Sequence, residues 1–164
     1  GYSIYIRLRV HICWEPNLLI LVYELMITDS TTLSKKKAEE INTIVGPAFS
    51  IWESLKRKGV GSPRLNIESF SKGFKFFIEQ NNSLSYCNIE LRPKGIIIHQ
   101  NKRATRLSWI IPYYRLSIFH SDVLSFHCNG EFLKIKKDIY LSKARPFVNK
   151  ILNQKALSTK VIFT

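Results

Sequence analysis

A chain of 164 residues with 45% hydrophobic and 23% charged side chains can bury one proper core without staples, and its balance excludes a disordered or fibrous class. Its 25 Lys and Arg against 12 Asp and Glu leave a net charge of +13, so its surface attracts polyanions: nucleic acid, anionic lipid headgroups or acidic proteins. Cys13, Cys87 and Cys128 are odd in number and far apart, which excludes a disulfide framework, and no Cys or His pair has zinc-ligand spacing. Cys87 and Cys128 fall inside apolar strand patterns and read as small buried hydrophobes, which implies a reducing, cytoplasmic setting.

Residues 1–30 read as an N-terminal extension. Ser3 to Val10 alternates like a strand, Glu15-Pro16-Asn17 breaks it, and the apolar run Leu18 to Tyr23 follows. That run is too short to span a bilayer, which takes roughly 20 residues, and no small-residue cleavage site follows it. Met26 is the only methionine. Translation is therefore expected to begin there, with residues 1–25 upstream of the native start and Ile27 to Thr32 an ordinary polar N-terminus.

Residues 31–62 form a helical segment. From Ser34 to Lys58, Ile41, Ile44, Val45, Ala48, Phe49, Trp52 and Leu55 recur at three- and four-residue steps and make one apolar stripe, expected to be core. Gly46-Pro47 should kink or split this helix, Gly59 suits its C-terminal cap, and Gly61-Ser62-Pro63 ends it. Ile67 to Lys72 reads as one further helical turn.

Strands follow at short intervals: Phe74 to Glu79, Leu84 to Arg92, Ile96 to His99, Thr105 to Ile111, Tyr113 to Phe119, and a hairpin of Val123 to Cys128 with Glu131 to Lys136. Cys87, Ile89 and Leu91 face one way and Asn88, Glu90 and Arg92 the other. Pro93-Lys94-Gly95 suits a β-turn, and Asn129-Gly130 predicts a two-residue turn with positive φ at both positions. Leu141 to Lys155 is a second helix, with Ser142 as N-cap, Pro146 in its first turn, and Ala144, Phe147, Val148, Ile151 and Leu152 as its apolar stripe. Residues 156–164 are left as a tail.

The expected fold class is α+β: an N-terminal amphipathic helix, a seven-strand antiparallel barrel or sandwich, and a C-terminal helix. The barrel with its C-terminal helix is expected to occupy residues 67–155, and about residues 74–155 resemble the bacterial pleckstrin-homology-like domains. The resemblance rests on Gly95-Ile96-Ile97-Ile98-His99, on Arg106-Leu107-Ser108-Trp109, on the stretch from Ile111 to Ile118, and on the hairpin from Val123 to Ile135. It implies a binding scaffold: a split barrel of two nearly orthogonal sheets, one end plugged by the helix. Members that bind phosphoinositides use basic residues in the first strand–strand loop, and Gln80-Asn81-Asn82-Ser83 has none.

The residues offer no catalytic constellation. The aspartates are Asp29, Asp122 and Asp138, and there is no Gly-rich phosphate loop and no His-Glu-x-x-His. His127 and Cys128 are adjacent on a strand and point to opposite faces, so they do not make a nucleophile–base pair. His99, His120 and His127 read as ordinary sheet residues, and no cofactor, metal or small-molecule substrate is implied. The expected function is non-catalytic binding or assembly, most simply with an unknown protein partner of acidic surface. The candidate polyanion-binding residues are Lys102, Arg103, Arg106, Lys134, Lys136, Lys137, Lys143, Arg145 and Lys150. If they share a face, nucleic acid is the alternative ligand, with Tyr113 and Tyr114 the nearest aromatics for stacking. A third reading is peripheral attachment to an anionic membrane.

Overall fold

The computed structural model describes residues 26–32, 34–71, 85–102 and 104–160. Along them run β1 (Met26–Asp29), α1 (Lys35–Val45), α2 (Ile51–Lys56), β2 (Leu65–Phe70), β3 (Tyr86–Arg92), β4 (Gly95–Lys102), β5 (Thr105–Pro112), β6 (Ser117–His120), β7 (Leu124–Cys128), β8 (Glu131–Ile135) and α3 (Ile139–Lys160). The fold is α+β, and its strands pair antiparallel in the order β1-β5-β4-β3-β2-β8-β7-β6. Strands β2 to β5 form one antiparallel meander and β6 to β8 a second, the β2–β8 pairing joins them, and β1 is added on β5, which leaves β1 and β6 at the sheet edges.

β2 divides the sheet in two. Its first residues, Leu65 and Asn66, pair with Cys87 and Tyr86 of β3, whereas Ile67, Ser69 and Phe70 pair with β8 after a register shift. Such an irregularity bends a strand and strengthens its twist. One cluster then buries inward residues of both halves: Ile89, Leu91, Ile96, Ile98, Trp109 and Ile111 from β3 to β5, with Leu124, Phe126, Leu133 and Ile135 from β7 and β8. α3 seals it with Leu141, Ala144, Phe147, Val148 and Ile151, spaced three and four apart to make one stripe.

A second, smaller cluster lies on the other face of β4 and β5. There Ile41 and Val45 of α1 pack on Ile97 and Ile110, so both strands are covered on both sides. That is why they read as unbroken apolar runs, Ile96-Ile97-Ile98 and Trp109-Ile110-Ile111, rather than as alternation. Gly95 lets α1 come this close. A Cβ there would stand 2.3 Å from the Ile111 carbonyl oxygen and 2.6 Å from Val45 Cγ1.

Several expectations are met. Cys87, Ile89 and Leu91 are buried, Cys87 and Cys128 are free and buried, and Asn129 and Gly130 both take positive φ, 52° and 80°. The helical segment splits at Gly46-Pro47 into α1 and α2.

Others need correction. Of the helical turn expected from Ile67 to Lys72, Ile67 to Phe70 belong instead to strand β2, whose alternation turns Leu65 and Ile67 inward, and Lys72 lies outside the described residues. Ile27 and its neighbours do not trail as a polar terminus; β1 extends the ladder on β5. Tyr113 to Arg115 form a 3-10 turn that buries Tyr113, and the strand resumes only at Ser117. α3 runs from Ile139 to Lys160, so it takes in residues 156–160 of the supposed tail, and Pro146 sits inside it. Its cap is Asp138 rather than Ser142: Asp138 Oδ1 accepts from the N–H groups of Tyr140 and Leu141 at 2.9 and 3.1 Å. The expected strand 74–79, the loop 80–83, residues 1–25 and the end of the tail at 161–164 lie outside the described residues.

Candidate functional site

The described members of the nine basic residues picked from the sequence are spread over β5, the end of β8 and α3. Arg106 is exposed on β5, beside Ser30 and Thr31; Lys102 ends β4, and its side chain and Arg103 lie outside the described residues. β4, β3 and β2 separate β5 from β8, which carries Lys134, with Lys136 and Lys137 just beyond it. Lys143 and Lys150 are seven apart and share a stripe of α3, while Arg145 lies on another flank. Lys150 Nζ is engaged, donating to the carbonyl oxygens of Lys58 and Gly59 at 2.8 and 3.1 Å.

Lys150 thereby fastens α2, and other bonds fix the same element. Ser50 and Glu53 form a capping box at its start. The two Ser50 hydrogen bonds hold the Glu53 carboxyl below its ordinary pKa. Arg57 donates to Gln154 of α3 at 3.0 Å and stacks over the Phe49 ring at 4.2 Å, and Phe49 packs against the main core. Thus anchored, α2 turns Ile51, Trp52 and Leu55 outward, exposed by 78, 79 and 65%. This corrects the expectation of a continuous core stripe: Ile41, Ile44 and Val45 are packed, and Ala48, Trp52 and Leu55 are not. Gly46, at φ 84°, re-aims the chain between the two helices. The signal was present in the sequence, since Ser50-x-x-Glu53 marks a fresh helix start. Lys56 and Lys58 are exposed beside the apolar face.

A second constellation crosses the face that α1 partly covers. His99 Nε2 lies 2.9 Å from Glu90 Oε2, and His99 Nδ1 lies 2.7 Å from Ser108 Oγ, which in turn is 2.6 Å from Ser30 Oγ. Arg92 Nε donates to Glu90 Oε1 at 2.7 Å, and its Nη1 reaches Asn42 and the Gly46 carbonyl of the α1 end. Burial would raise the Glu90 carboxyl, but the His99 ring and the Arg92 guanidinium outweigh it and hold the pKa below its ordinary value. Serine, histidine and carboxylate are the residue types of a nucleophilic triad. Here, however, Ser108 is 1% exposed and its hydroxyl is already engaged by Ser30 and His99. The arrangement ties β3, β4, β5 and the residue after β1 together and holds the end of α1. Sequence reading left Glu90 and His99 as unconnected sheet residues; only the register of β3, β4 and β5 joins them.

The outer face of β6, β7 and β8 carries rings. His127 meets Phe119 edge-on at 4.8 Å between centroids and stacks on Phe132 at 5.8 Å. Lys134 Nζ lies 5.6 Å from the Phe132 centroid. Of the two tyrosines expected to stack on bases, Tyr113 is buried with its hydroxyl on the Arg92 carbonyl, and Tyr114 is exposed beneath Arg115.

Among the described residues, no group of three or more His, Cys, Asp or Glu could hold a metal ion, and no helix is long and apolar enough to cross a membrane. No protein-family model matches the chain, and comparison with curated proteins and with solved structures likewise finds no match.

Proposed function

We propose that the chain is a non-catalytic binding module on a pleckstrin-homology-like split barrel, and that it docks a protein partner of acidic rim through α2. The two meanders β2–β5 and β6–β8, their junction at β2 and the C-terminal helix entering the shared core support the barrel reading. The outward-facing Ile51, Trp52 and Leu55 carry the docking reading. A tryptophan with two aliphatic neighbours on a rigid helix is the kind of anchor that dominates protein interfaces, and Lys56 and Lys58 supply a rim complementary to carboxylates. The buried, engaged Ser108 hydroxyl supports a structural role for the Glu90–His99–Ser108 row. The free, buried thiols fit a reducing cytoplasmic setting; burial pushes the Cys87 thiol up to about 12 and so keeps it unreactive.

The test places a photo-crosslinking residue at position 52 of the full chain, expressed in its own cells. One dominant protein adduct is expected, weakened by salt and lost when Leu55→Asp is added. Adducts no stronger than those from a control probe at exposed Glu39 would sink the reading. Sedimentation with vesicles containing anionic phospholipid, abolished by Trp52→Ala, would transfer the surface to a membrane instead.

A further inference from the structure

The ringed face of β6, β7 and β8 is distinct from α2, and among the described residues no helix packs over its outer side, where Phe119 is exposed and Ser125 lies buried beside His127. α1 covers the outer face of β4 and β5, while α3 packs inward against the shared core. We infer that this face binds single-stranded nucleic acid, the bases stacking on Phe119 and its neighbours while lysines meet the backbone.

The chemistry follows from the register. Ser117, His127 and Phe132 stand in one row across the three strands, and Phe119, Ser125 and Lys134 in the next, with Ser69 of β2 beyond Lys134. The inward residues between them, Phe126, Leu133 and Ile135, belong to the core, so strand alternation forces the rings and Lys134 outward. Phe119 is 58% exposed despite its ring contact with His127. A solvated sheet normally spends such positions on polar side chains. Around the rings the polar groups are small or cationic: Ser117, Ser125, Ser69, Lys134, and exposed Lys136 two residues on. Among the described residues the nearby acids are exposed Glu68 at the β2 irregularity, exposed Asp122 in the turn between β6 and β7, and Glu131, whose carboxylate accepts from the Ser71 hydroxyl.

The flat rings suit bases better than an aliphatic protein surface. Every base offers a π-face, and sheets with outward aromatics flanked by cations are an established way to splay and stack single strands. The net charge of +13 supplies the long-range attraction that brings a polyanion to the surface. A duplex keeps its bases stacked on each other, so it cannot use the rings.

Fluorescence anisotropy with end-labelled oligo-uridine and oligo-thymidine at low salt, competed by unlabelled duplex of equal length, tests this on the full chain. Single strands should bind and duplex should compete poorly. Phe119→Ala should weaken binding by roughly five- to a hundredfold, Phe119→Trp should restore it, and Lys134→Ala should lower the salt slope by about one. Because Phe119 is largely exposed, its truncation leaves the fold intact, which circular dichroism verifies. Leu157→Ala, at an exposed position of α3, should leave the affinity unchanged. Three results overturn the inference: no binding of single strands, equal binding of duplex, or a loss on Lys134→Ala with none on Phe119→Ala. The last would mark a general polyanion surface without base stacking.

Discussion

The two halves of the sheet share one core but differ in what lies outside it. On the outer side of β4 and β5, Ile97 and Ile110 are covered by Ile41 and Val45 of α1, and the neighbouring polar row is tied up internally, His99 to Glu90 and Ser108. On the outer side of β6, β7 and β8, the equivalent positions are taken by Phe119, His127, Phe132 and Lys134, with no packed helix over them among the described residues. Apolar side chains on a strand's outer face therefore mean different things in the two halves. Covered by a helix they are core, and on β6 to β8 they form the face inferred to stack bases.

The covered half is where mutations should be most damaging. Gly95→Ala forces a methyl group into the Ile111 carbonyl oxygen and Val45 and should lift α1 from the sheet. Overpacking of this kind typically costs 1–3 kcal/mol, and because backbone blocks relaxation the expectation is about 3 kcal/mol, read from urea midpoints at constant slope. A loss below about 1 kcal/mol would show that α1 is loosely seated.

A matched pair of truncations then compares the halves directly. Ile97→Ala should cost about 2–4 kcal/mol because it leaves a cavity between α1 and β4, whereas Phe119→Ala should cost under about 1 kcal/mol even though it removes a larger side chain. Equal losses would mean that the outer face of β6 to β8 is covered after all.

The smallest effect concerns the polar row. Glu90 has a folded-state pKa below its ordinary 4.5, so its contribution is complete above that value and is lost as pH falls through the lower folded value. Glu90→Gln should cost about 1–2 kcal/mol near pH 7, and the gap between the two proteins should close as the pH drops below about 4. Denaturation curves across that range decide it; a gap that stays constant with pH would show that the charge of Glu90 contributes nothing.

Much of the architecture could be read locally. Asn129-Gly130 takes positive φ at both positions, Gly46-Pro47 splits the helix, and the alternation of Cys87, Ile89 and Leu91 against Asn88, Glu90 and Arg92 holds through β3, because each depends on residues within a few positions of one another. Burial of β4 and β5 on both faces was not read from their apolar runs; it became visible only with Ile41 and Val45 of α1 against Ile97 and Ile110. The candidate surfaces were less legible. Trp52 and Leu55 continue the spacing of Ile41 and Val45 in sequence but not in space, because Gly46 re-aims the chain and the capping box at Ser50 starts a new helix. Phe119, His127 and Phe132 are each unremarkable alone, and they become one surface only through antiparallel register.

Local pattern thus indicated β3 to β5, β7, β8, the split helix and most of α3, but not β1, β2 or the turn at Tyr113. It could not say which face would receive a helix. That depends on pairings between residues many positions apart: Val45 beside Gly95, Ile41 and Val45 packed with Ile97 and Ile110, and β2 beside both β3 and β8. Burial free energy is gained only when such surfaces meet, so the distinction between core and binding face belongs to the assembled chain and not to any stretch of it.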